Sequence, residues 1–119
     1  MYNRIERRES IRVENSFVLE LRIKADEDRK ASHDDWNTVY ARNLSTGGVS
    51  LYYIKELEIG SILELKIHIP KSTSSISCIG KVIRSEKNPK SPLNEIAISF
   101  TEIDEQKKEM INKIIEESI

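Results

Sequence analysis

Two short polar clusters hold the residue types in this chain that can do recognition chemistry. The first is Arg7-Arg8-Glu9-Ser10-Ile11-Arg12, where Arg8 and Arg12 stand in an Arg-x-x-x-Arg spacing with Arg7 in front. The second follows about thirty residues later as Asn43-Leu44-Ser45-Thr46-Gly47-Gly48, an Asn-x-Ser-x-x-Gly pattern. Guanidinium forks match phosphate oxygens and the O6/N7 edge of guanine in bidentate fashion, and they stack on flat rings. A carboxamide can accept from the guanine N1–H and N2–H donors. A hydroxyl and a glycine add a small donor and a backbone that a ligand can approach closely. Together these groups suit a phosphorylated guanine compound.

Each residue also has a plainer reading. Alone, the arginines form a solvated basic arm, or Arg8 and Arg12 share one face of a helix. Asn43 can be a turn asparagine bonded to its own backbone. Ser45 can cap a turn, and Gly47-Gly48 marks a tight turn with backbone angles that other residues avoid. Arg42 adjoins the cluster at the strand end, where it can approach a ligand, although a surface position is the preferred reading. Trp36 can stack a base, although the one tryptophan of a small barrel generally belongs to the core.

The chain has 119 residues, 33% charged and 38% hydrophobic, which suits one soluble globular domain with a modest core. The net charge is −1, so the whole surface does not attract polyanions. Arg4, Arg7, Arg8 and Arg12 nevertheless crowd the first twelve residues against Glu6 and Glu9. That local positive arm suits a small dianion better than a nucleic acid polymer, which calls for a wider basic surface. The single cysteine, Cys78, excludes an internal disulfide and a cysteine-based zinc site. With no apolar run of spanning length and no apolar leader, the expected location is the cytoplasm, without membrane insertion. His33 and His68 have no metal-ligand spacing, His68 reads as solvated surface, and no metal, cofactor or catalytic triad is expected.

Period-two alternation supplies the elements that position these clusters. Phe17, Leu19, Leu21 and Ile23 mark a first strand, and a hydrophilic hairpin loop follows over 25–35. A second strand runs from about Trp36 to Arg42, with Val39 and Tyr40. Val49, Leu51 and Tyr53 give a third; Leu63, Leu65, Ile67 and Ile69 give a fourth that ends at Pro70. The fifth, about 76–84, has Ile76, Cys78 and Val82 in phase, and Gly80 in that row signals a bulge or a close backbone approach. Ile96, Ile98 and Phe100 form the sixth. Asp104 then caps a helix whose stripe is Met110, Ile111, Ile114 and Ile115. The expected fold is mainly β: a six-stranded antiparallel β-barrel with a C-terminal α-helix from about residue 104. Residues 1–14 are expected to be a flexible ligand-binding arm, and 15–119 the barrel and helix.

This combination resembles the PilZ domain family, bacterial receptors for cyclic di-GMP, over nearly the whole chain. The family pattern is Arg-x-x-x-Arg followed by Asp/Asn-x-Ser-x-x-Gly, and both halves occur here in the family's order. The Ile96-Ala97-Ile98-Ser99-Phe100 strand is similar to the family's final strand. A glycine often precedes it, whereas this chain has Asn94 and Glu95, a departure expected to affect only the turn. The resemblance implies a PilZ-like split barrel whose cyclic di-GMP ligand is held by Arg7, Arg8, Arg12, Asn43, Ser45 and Gly48. It also implies a receptor without enzymatic activity that binds one nucleotide or an intercalated pair and signals to a separate effector protein. A protein-binding adaptor with weak or no nucleotide binding is the alternative within the family. A small barrel for single-stranded nucleic acid would call for more aromatics than the 6% present.

Overall fold

In the computed structural model, residues 17–24 and 36–118 are described. The expected hairpin loop over 25–35 and the arm with Arg7, Arg8 and Arg12 lie outside them.

Alternation of apolar and polar side chains builds six strands: β1 (Phe17–Ile23), β2 (Asn37–Leu44), β3 (Gly48–Tyr53), β4 (Ile62–His68), β5 (Ser75–Lys87) and β6 (Asn94–Glu102). They close into an antiparallel barrel in the order β1-β2-β3-β6-β5-β4. Closure joins β1 to β4, with Leu21 opposite Leu65 and Leu19 opposite Ile67. The inward residues Leu19, Leu21, Leu51, Leu63, Leu65, Ile67, Val82, Ile96 and Ile98 are almost wholly buried. Each such aliphatic side chain contributes roughly 1.5–3 kcal/mol by leaving water. Gly60, with φ +99°, makes the turn into β4 in the left-handed region that glycine tolerates.

Helix α1 (Glu105–Ser118) follows Asp104, whose Oδ1 accepts from the Lys107 N–H at 2.8 Å. This N-cap contributes about 1 kcal/mol. Ile111, Ile114 and Ile115 enter the same buried cluster as the barrel interior, and the Lys107 Nζ donates to the Ser77 carbonyl. Gly80 sits at the expected bulge, and its tightest neighbour is a side chain, not another backbone. The β5–β6 register shifts beside it, and a Cβ there would meet Ile98 Cγ2 at 2.5 Å.

Two expectations about side chains, at Trp36 and Ile23, need correction. Trp36 is only partly buried and lies outside the core, opposite the outward-facing Arg22. The Arg22 guanidinium and Lys66 ammonium stand 4.4 Å and 4.3 Å from its ring centroid. The interior is filled by branched aliphatics, and the indole finds cations on the outer surface instead. Tyr40 is 64% exposed; Val39 and Ala41 are the inward residues of β2. Ile23 is 42% exposed, so the inward row of β1 ends at Leu21.

Cys78 is buried among the inward residues, as its phase implied. Burial pushes its thiol from 9.0 up to about 11, partly offset by the Lys107 ammonium. The unfolded chain therefore releases this proton first as pH rises. The stabilisation is complete below pH 9.0 and is lost progressively up to about pH 11. Tyr53, also raised by burial, adds a loss of the same sign that begins above pH 10.0. Unfolding free energy measured by urea titration is expected to fall more steeply from about pH 9 to 10 in wild type than in Cys78→Ala. Parallel profiles would show that the thiol does not titrate differently in the fold.

Candidate functional site

Two β-bulges and a row of small residues shape a trough on the outer face of β2, β3, β6 and β5. On β2, Ala41 pairs with Leu51 while Asn43 pairs with Ser50, so Arg42 is the extra residue. The bulge interrupts alternation between the buried Ala41 and Leu44, leaving Arg42 and Asn43 both outside the core. On β5, Val82 pairs with Ile98 while Arg84 pairs with Ala97, so Ile83 is extra. Ile83 and Arg84 consequently both face outward next to the buried Val82. Each wall thus carries one arginine at its bulge.

Between the walls the floor is low. Gly48 pairs with Ser99 and Ser50 with Ala97 across β3 and β6. Four neighbouring strands span roughly 14 Å at ordinary strand spacing. The trough encloses about 510 Å³, within the usual range for small-molecule sites, and opens to solvent.

Asn43 does not make the local backbone bond of a turn asparagine. Its Nδ2 donates across the strands to Ser50 Oγ at 3.1 Å. Among the described residues, its Oδ1 is the buried side-chain atom left without a hydrogen-bond partner. Such an unpaired acceptor costs about 1–3 kcal/mol. Ser45 works within the hairpin loop. The Gly47 N–H donates to its Oγ at 3.3 Å, and its hydroxyl donates to the Gly48 carbonyl at 3.4 Å.

Gly47 and Gly48 do form a tight connection, with the Ser45 N–H donating to the Gly48 carbonyl at 2.9 Å. The expected unusual backbone angles are absent: the one glycine in the left-handed region among the described residues is Gly60. Gly48 is required for a different reason. A Cβ there would lie 2.2 Å from the Ile98 carbonyl oxygen.

Sequence alone does not single out Glu95 or Arg84, and it reads Arg42 as a surface residue able to approach a ligand. Glu95, assigned to a turn, belongs to β6, as does the buried Asn94, whose Nδ2 reaches the Tyr53 carbonyl at 3.4 Å. Glu95 Oε2 stands 3.4 Å from Arg42 Nη1 and 3.8 Å from Arg84 Nη2. Arg42 also donates to the Tyr52 hydroxyl at 2.9 Å. The spacing of apolar residues contained a signal for the bulge behind Arg42. Val39, Ala41 and Leu44 step by two and then by three, a missed beat in the alternation.

The charged trough therefore brings Asn43, Ser45 and Gly48 together with Arg42, Arg84 and Glu95. Its two guanidiniums and one carboxylate leave a formal excess of one positive charge, suited to an anion with hydrogen-bonding edges. Among the described residues, no helix is long and apolar enough to cross a membrane.

A family model for the PilZ domain matches residues 6–117. Among solved structures, the chain is similar to the Bacillus subtilis inhibitor of motility (MotI/DgrA), with 21% identity and a TM-score of 0.70 over 97% of this chain and 52% of that one. It therefore spans about half the length of that protein. It is also similar to the PilZ domain of YcgR from Escherichia coli with c-di-GMP, at 12% identity and a TM-score of 0.63, covering 95% and 92% of the two chains. A tetrameric PilZ-domain protein from Xanthomonas campestris aligns at 9% identity and a TM-score of 0.69, covering 92% and 88%. No curated protein matches the sequence.

Proposed function

The chain belongs to the PilZ domain family, and on that premise we propose that it is a cyclic di-GMP receptor that signals to a separate partner protein from the cytoplasm. Residues 1–14 act as a ligand-binding arm on the barrel formed by 15–119. Arg8 and Arg12, with Arg7 beside them, grip phosphate and lie against guanine. Asn43 addresses the guanine edge, Ser45 adds a hydroxyl, and the backbone at Gly48 permits close approach. The reading gives the protein no catalytic step: the bound nucleotide orders the arm, and the altered surface changes affinity for the effector.

One observation carries most of this reading. The Asn-x-Ser-x-x-Gly residues line an open polar trough with an arginine at each of its two bulges. The trough has the hydrogen-bonding groups for a purine edge, while its small floor leaves room for a flat ring. An arm rich in arginine supplies the remaining positive charge, and ring stacking offsets part of the cost of ordering it.

Calorimetry with cyclic di-GMP tests the proposal, with a short single-stranded oligonucleotide of mixed sequence as comparison. Saturable binding of cyclic di-GMP, and much weaker binding of the oligonucleotide, is the expected result. Absence of heat with the cyclic dinucleotide would end the receptor reading. Preference for the oligonucleotide would transfer the trough to nucleic-acid binding.

A further inference from the structure

We infer that Arg42 and Arg84 form a second anion clamp in the trough, and that the Glu95 carboxylate is its resident occupant, competing with ligand phosphate for the same two guanidiniums. This rests on the cyclic di-GMP reading for the identity of the ligand, but not for the existence of the clamp.

The geometry has three parts. First, one carboxylate oxygen, Glu95 Oε2, faces both cations, at 3.4 Å from Arg42 and 3.8 Å from Arg84. Second, the cations come from opposite walls, each at a bulge, while Glu95 rises from the floor strand between them. Third, neither contact is tight, and Arg84 Nε also stands 3.7 Å from Glu86 Oε1, outside the trough. The Arg42 and Arg84 side chains are 44% and 50% exposed, and exposed pairs of this kind contribute little. A loosely held carboxylate between two such cations is readily exchanged for another anion.

A phosphodiester is a close chemical match for the group it would replace. It carries one negative charge and two non-bridging oxygens, as a carboxylate does. Arg42 is also steadied independently of Glu95, by donation to Tyr52. It therefore keeps one anchor when the carboxylate leaves. Displacement takes Glu95 into water and leaves it near the incoming phosphate, so its charge opposes binding both by competition and by repulsion. Glu95 then sets the affinity of the site without contacting the ligand.

Calorimetry with cyclic di-GMP on wild type, Glu95→Gln, Arg84→Met and the double variant reads this directly. Melting curves confirm that each variant is folded. Glu95→Gln is expected to bind about three- to tenfold tighter, from the loss of a competing exposed charge pair. Arg84→Met is expected to bind more weakly than wild type, and to cancel most of the gain in the double variant. If wild type binds but Glu95→Gln is unchanged or weaker, the competitor role is overturned and the receptor reading stands. If wild type does not bind cyclic di-GMP, that reading falls. The clamp is then decided by titrating inorganic pyrophosphate while following the arginine Nε–Hε resonances. Arg42 and Arg84 signals that move at lower pyrophosphate concentration in Glu95→Gln than in wild type support the clamp, and signals that do not move refute it.

Discussion

Gly48→Ala is expected to destabilise the barrel by about 3 kcal/mol, one of the larger effects available to a single added methyl group. The new Cβ would stand 2.2 Å from the Ile98 carbonyl oxygen, 3.2 Å from its carbon and 3.3 Å from the Ser99 Cα. All three are backbone atoms, so no rotamer change relieves the overlap. The strands would have to part where Gly48 pairs with Ser99. That movement would also disturb the hairpin loop, because the Phe100 N–H donates to the Gly47 carbonyl at 3.0 Å. Gly80 provides the contrast. Its Cβ would first meet Ile98 Cγ2, at 2.5 Å, which is a side-chain atom able to shift. Urea denaturation followed by far-ultraviolet circular dichroism should therefore rank Gly48→Ala as the more damaging of the two. A loss below about 1 kcal/mol at Gly48 would show that the strands separate more easily than this packing implies.

The result bears on how the glycine of the second motif is interpreted. Loss of ligand binding in Gly48→Ala would follow from disturbed strand pairing whether or not the ligand touches that backbone. Asn43 and Arg84 are better probes of contact. Their side chains lie on the outer face, and changing them leaves the β3–β6 ladder intact.

The same contrast explains which features the amino-acid order revealed. Leu19, Leu21, Leu63, Leu65 and Ile67 announce β1 and β4 because inward and outward residues alternate without interruption. Asp104 and the isoleucines of α1 are equally plain, since a cap and a helical stripe are local signals. The trough is harder to read because its walls are made where alternation fails. Alternation from Ala41 already turns Arg42 outward, but Asn43 and Arg84 follow only because of the two bulges, and both arginines meet Glu95 only once β6 is laid between β3 and β5. That is long-range information, absent from any short window. Glu95 was hidden for a related reason. Two polar residues after Pro92 and Leu93 look like the end of a loop, yet Asn94 is buried and bonded to β3, which draws Glu95 into the strand. Trp36 misled through its size and type, because cations on the outer face can cover an indole as well as a core can.

Simultaneous replacement of Arg8 and Arg12 by alanine is expected to weaken cyclic di-GMP binding at least about 100-fold, or roughly 2.7 kcal/mol. The reasoning begins with charge. The described trough offers Arg42 and Arg84 against Glu95, a formal excess of one, whereas the ligand brings two phosphodiester charges. The first twelve residues hold the densest cluster of arginines in the sequence, Arg4, Arg7, Arg8 and Arg12. A hydrogen bond to a charged group contributes about 1.5–3 kcal/mol, so a bidentate grip of two such bonds outweighs the roughly 1.5–2 kcal/mol that ordering one long side chain costs, and two grips together reach the 100-fold range. Salt should separate this contribution from stacking. Wild-type affinity is expected to fall as ionic strength rises, and the double variant should show a shallower dependence because fewer charge pairs remain to be screened. Melting temperatures measured in parallel distinguish lost contact from lost fold. A decrease of less than about tenfold in a folded double variant would move the phosphate grip away from Arg8 and Arg12. Arg42 and Arg84 of the trough, with Arg7, would then carry the phosphate grip, and Glu95→Gln should have the larger effect on affinity.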